Sequence, residues 1–145
     1  MRVRWRVLGC ALALAVTGPP RPAAAQNSVD LAKARQVLEY YQTCERTRRF
    51  APCWTLLSKR VQRDWAQQGR GTVAEYADAK GAGALYSDFR VLQIRRSPAR
   101  VVFVVEATRS EGNDPVRDRV EYALLREGDQ WRIDGLRVGQ SETAP

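Results

Sequence analysis

The 145-residue chain contains no histidine, one methionine and three lysines against 21 arginines. Without histidine it lacks the side chain that most readily exchanges a proton near neutral pH, and the usual nitrogen ligand for zinc. It has no C-x-x-C pair, no glycine-rich phosphate loop and no nucleophile elbow. Those absences lean away from an enzyme and leave no catalytic residue, metal site or cofactor to name. Long apolar runs are also missing. The longest, Val7 to Val16, has about ten residues where a membrane span needs roughly 20.

What is present begins with that short run. Arg2, Arg4 and Arg6 precede it, and the breaker Thr17-Gly18-Pro19-Pro20 and the small residues Ala23-Ala24-Ala25 follow. A basic head, an apolar centre and an A-x-A site in that order form an export signal. Cleavage is expected after Ala25, making the protein periplasmic or secreted, with no membrane span afterwards. Residues 26–138 then form one domain, and 139–145 a flexible tail. Cys10 leaves with the leader. Cys44 and Cys53 remain, nine positions apart in an oxidising compartment, and are expected to form a structural disulfide.

Charge follows the same division. The formal charge is +8. Four of the 24 basic residues lie in the leader, so the mature chain carries 20 against 16 acidic residues, or +4. That surplus comes without interleaved aromatic platforms, so nucleic acid is not an expected partner.

Hydrophobic spacing divides the mature chain into a helical front and a stranded back. Leu31, Ala34, Leu38 and Tyr41 recur at helical spacing, with Val37 and Cys44 widening the stripe. Pro52 suits the first turn of a second helix, whose stripe would be Trp54, Leu57, Val61 and Trp65. Thr72-Val73-Ala74-Glu75 is a capping-box pattern opening a third. From Tyr86 the period becomes two, and strands are expected at about 87–96, 100–109, 116–126 and 130–138. If Gly128-Asp129 is a two-residue turn, Arg126 faces Trp131 and Leu124 faces Ile133. Val120, Tyr122, Leu124, Trp131 and Ile133 then share one face with Val101, Phe103 and Val105, and Leu92 and Ile94 join them. The opposite face would hold Phe89, Val91, Val102, Val104, Ala123 and Leu125, edged by Glu106, Glu121, Arg132 and Asp134.

Three helices followed by a strand meander closing in Gly-Asp-Gln-Trp-Arg-Ile-Asp-Gly-Leu resemble the nuclear transport factor 2-like superfamily. The Leu-Glu-Tyr-Tyr helix and the segments Trp-Thr-Leu-Leu-Ser and Tyr-Ala-Leu-Leu-Arg-Glu-Gly-Asp-Gln-Trp-Arg-Ile carry the same resemblance, over about residues 29 to 138. The group includes ketosteroid isomerases and polyketide cyclase-like proteins. The resemblance implies an α+β fold in which N-terminal helices pack on a curved four-stranded antiparallel sheet, a cystatin-like cone. It transfers no single function, because this scaffold hosts enzymes, binders and accessory domains alike.

The leading expectation is an exported non-catalytic interaction or accessory domain. Val91, Val102, Val104, Ala123 and Leu125 would form an apolar interface for a homodimer or an envelope protein partner. Two alternatives stand beside it. Tyr41, Tyr76, Phe103 and Tyr122 could line a pocket for a small hydrophobic molecule, or an inward carboxylate could serve an isomerase- or dehydratase-like enzyme.

Overall fold

The helical stripe beginning at Leu31 builds the longest element of the protein. The computed structural model describes residues 23–143, so residues 1–22 of the leader and the last two residues lie outside it. Helix α1 runs Ala23–Thr47, through the expected cleavage point. A 3-10 turn at Ala51–Leu56 follows, then α2 at Lys59–Gln67 and α3 at Val73–Gly81. Strands β1 (Tyr86–Ser97), β2 (Arg100–Glu111), β3 (Asp114–Glu127) and β4 (Gln130–Thr143) form one antiparallel sheet in sequence order. Helices before a curved open sheet make this an α+β fold.

The local signals act as their chemistry requires. Thr72 accepts from Glu75 N while the Glu75 carboxylate accepts from Thr72 N at 2.9 Å, closing the capping box. Pro98-Ala99 and Gly128-Asp129 are two-residue turns, with Ser97 opposite Arg100 and Glu127 opposite Gln130. Gly128 takes φ +65°, where a side chain would be strained. Cys44 and Cys53 are bonded at a Cα separation of 6.5 Å, tying the end of α1 to the 3-10 turn.

The expected second helix is broken. Pro52 opens only the 3-10 turn. Leu57 is then extended and bridges Ile133, and Ser58 N donates to Ile133 O at 2.8 Å. Ser58 Oγ accepts from Val61 N and caps α2. A bond to the β4 edge and a strong cap together outweigh helix continuation. Trp54, Val61 and Trp65 still reach the core, from two short elements instead of one stripe.

The concave face buries Phe103, Val105, Val120, Tyr122, Leu124 and Ile133 beneath Leu38 and Tyr41 of α1. Leu124 lies opposite Ile133 and Arg126 opposite Trp131, in the expected hairpin register. Four register shifts interrupt the sheet, and two of them move residues between faces that alternation had assigned. In β1 the register shifts between Val91 and Gln93, so Val91 lies opposite Val105 and packs on the core with Phe89. Val91 therefore leaves the outer face to which simple alternation assigned it, and Leu92 is exposed instead. In β4 the shift falls at Asp134. That residue turns away from the expected outer rim, and beyond it Leu136 and Val138 lie opposite Tyr122 and Val120. Pairing continues to Thr143 opposite Val116, so 139–143 are strand and not tail.

Val102, Val104, Ala123 and Leu125 do share the convex face. They are not an open patch, however. Val104 is 0% and Ala123 8% exposed in the single chain. Arg95, opposite Val102, and Glu121, opposite Val104, close an ion pair at 2.7 Å across β2. Side chains of this length can lay their aliphatic stems over neighbouring apolar groups.

Candidate functional site

On α1, Leu38, Tyr41 and Glu45 fall at spacings of three and four, so the apolar stripe carries a carboxylate into the interior. On α3, Tyr76 and Lys80 are four apart and meet it from the side. Tyr122 rises from β3 and donates its hydroxyl to Glu45 Oε2 at 2.6 Å. The Lys80 ammonium lies 3.8 Å from Glu45 Oε1 and stands over the rings of Tyr41 and Phe50. Tyr41 and Tyr76 join hydroxyls at 3.3 Å. Tyr76 is ringed by Phe50, Trp54 and Trp65, with ring centres 5.1 to 6.4 Å away.

Burial dominates the electrostatics of this group. It raises the Glu45 pKa, against the opposing hydrogen bond from Tyr122 and the charge of Lys80. Desolvation also pushes Tyr76 up to about 12 and raises Tyr41 and Tyr122, with Glu45 adding to each. The three phenols therefore remain protonated donors at physiological pH.

Of the four expected pocket residues, Tyr41, Tyr76 and Tyr122 come together as one hydrogen-bonded and ring-packed cluster. Phe103 lies beside them, opposite Tyr122 on β2. All four are buried, at 0 to 3% exposure. They pack within the core, and Tyr41 also lines an open cleft. Glu45 and Lys80 were missed by sequence reasoning. A charged residue at the fourth position after Tyr41, on an otherwise apolar stripe, was the available signal.

The other buried carboxylates are also held. Asp118 accepts from Tyr86 Oη at 2.9 Å and Arg109 Nε at 2.8 Å. Asp134, displaced by its bulge, accepts from Ser58 Oγ at 2.8 Å and Arg60 Nε at 3.1 Å. Its neighbour Arg132 reaches the Thr55 carbonyl of the 3-10 turn. Among the described residues no group of three or more acidic or cysteine side chains is placed to hold a metal ion. Among them too, no helix is long and apolar enough to cross a membrane.

One of several open clefts lies between α2 and β4. A cleft of about 430 Å³ has Val61 and Trp65 on one wall, Ile133 and Leu136 on the other, and Tyr41 and Lys80 in its lining. No family model, curated protein or solved structure matches this chain.

Proposed function

We propose that this chain is an exported, non-catalytic interaction or accessory domain with a nuclear transport factor 2-like cone. The filling of the cone carries this reading. Its inward carboxylate, Glu45, is spent on Tyr122 and Lys80, and four aromatic side chains occupy the volume where a substrate would sit. An acid or base needs a reacting atom within hydrogen-bond reach, and here internal partners hold that position. Export is supported by the leader pattern and by the 44–53 disulfide, a bond that persists in oxidising compartments. The exposure of Val104 and Ala123 does not favour a homodimer through the convex face, so the partner reading rests on other surface.

The test is native purification from the cell envelope. The mature protein should begin at Gln26, resist alkylation until reduced, and migrate with a partner above its own mass. Free thiols and a leader-bearing chain in the cytoplasm would defeat the export reading. Migration at the chain's own mass under gentle extraction would defeat the interaction role.

A further inference from the structure

Simple alternation along β4 would send Leu136 and Val138 to the convex face. The bulge at Asp134 instead turns them inward, opposite the fully buried Tyr122 and Val120. Yet they remain 38% and 49% exposed. Burying apolar side chains is favourable, so a concave position left open beside a cleft calls for an occupant. Leu136 lies in the wall of the α2–β4 cleft, facing Val61 and Trp65 across about 430 Å³. That volume suits a small molecule rather than a protein segment.

The charges choose the chemistry. At the rim, Arg60 bonds both Asp64 and Asp134, so these three groups largely satisfy one another. Lys80 is the other cation in the lining. Its partner Glu45 is 3.8 Å away, longer than a direct hydrogen bond, and an ammonium has three donors to place.

We infer that the α2–β4 cleft binds a small amphipathic carboxylate, its apolar body between Trp65 and Leu136 and its head on Lys80. Ligand uptake here is independent of the interaction role: either could fail with the other standing.

Decanoate and its neutral counterpart decan-1-ol serve as probes, titrated by calorimetry into the oxidised mature protein. Decanoate should bind once per chain, and more tightly than decan-1-ol. Lys80→Met should weaken decanoate by about tenfold while leaving decan-1-ol unchanged, since one charge-assisted contact is lost. Lys80→Arg should restore decanoate binding. Because Lys80→Met also strips Glu45 of its cation, Leu136→Asp supplies a second variant at an exposed position, and it should weaken both probes. No saturable decanoate binding overturns the proposal. So does equal binding by wild type and both variants, or a Leu136-dependent self-association that takes up neither probe.

Discussion

The two faces of the sheet bury similar residues by different means. On the concave side, Phe103, Val105, Tyr122 and Leu124 are enclosed by α1, α3 and the 3-10 turn, and the phenols and carboxylate brought in with them pair inside the core, Tyr122 with Glu45 and Tyr41 with Tyr76. On the convex side, Val102, Val104 and Ala123 lie on the face that carries the Arg95–Glu121 ion pair, whose side chains are 50% and 34% exposed. Val104 and Val105 are equally inaccessible at 0%, yet Val105 belongs to the core under the helices while Val104 lies on the face of the Arg95–Glu121 pair. Fractional burial alone therefore does not measure how firmly a position is held. A valine-rich strand face is likewise not in itself a docking surface, since arginine and glutamate stems can cover it within one chain.

The sharpest way to break this comparison is to truncate one side chain on each face. Phe103→Ala should cost about 3–5 kcal/mol, because rigid neighbours leave a cavity that cannot close. Val102→Ala, half-buried on the convex face, should cost no more than about 1 kcal/mol. Urea titration of both variants measures the difference, and similar losses would mean that the two faces are equally rigid.

The disulfide tests whether the concave lid needs its covalent clasp. Replacing Cys44 and Cys53 together with serine should lower stability by about 2–3 kcal/mol, the loop-closure entropy of so short a ring. Thermal and urea unfolding would register it, and an unchanged midpoint would assign the lid's order to packing alone.

The internal polar network comes next. Tyr122→Phe deprives Glu45 of its 2.6 Å donor and should cost about 1–3 kcal/mol, the penalty of an unsatisfied buried acceptor. The same network has a pH signature with a definite sign. The folded pKa of Glu45 lies above the ordinary value of 4.5, so the folded state binds its proton more tightly than the unfolded chain does. Its contribution is therefore fully present below 4.5 and is lost as pH rises through the shifted value. Wild type should lose stability relative to Glu45→Gln across that window, and Tyr122→Phe should move the window upward. Denaturation series at stepped pH would show it. A wild-type advantage that grows with pH would reverse the sign and remove Glu45 from the low-dielectric interior.

The smallest effect belongs to the convex ion pair. Arg95→Ala should change stability by about 0–1 kcal/mol, and less at high salt, as exposed pairs generally do. A larger, salt-independent loss would mean that the arginine's packing, more than its charge, stabilises this face.

Much of this fold was legible because its signals are local. The spacing of Leu31, Ala34, Leu38 and Tyr41 suffices for α1, Thr72 and Glu75 cap α3 through their own backbone, and Pro98-Ala99 and Gly128-Asp129 close their hairpins within four residues. Cys44 and Cys53 were paired by arithmetic once Cys10 was assigned to the leader. The break at Ser58 depends on Ile133, 75 positions away, and no window of sequence contains both.

The bulges at Leu92 and Asp134 follow the same logic. Alternation assigns a face only while pairing stays regular, and one extra residue exchanges the faces beyond it. Val91 consequently joins the core, Asp134 meets Ser58 and Arg60, and Leu136 turns toward the α2–β4 cleft. Sequence by itself determined α1, α3, the order of the four strands, the two tight turns and the disulfide, because each rests on residues close together in the chain. Tertiary structure alone decided that Glu45, Lys80 and Tyr122 meet and that Tyr41, Tyr76, Phe103 and Tyr122 pack together in the core. Three elements separated by up to 77 residues must converge before a carboxylate can leave water, and only the completed packing supplies the donors that hold it there.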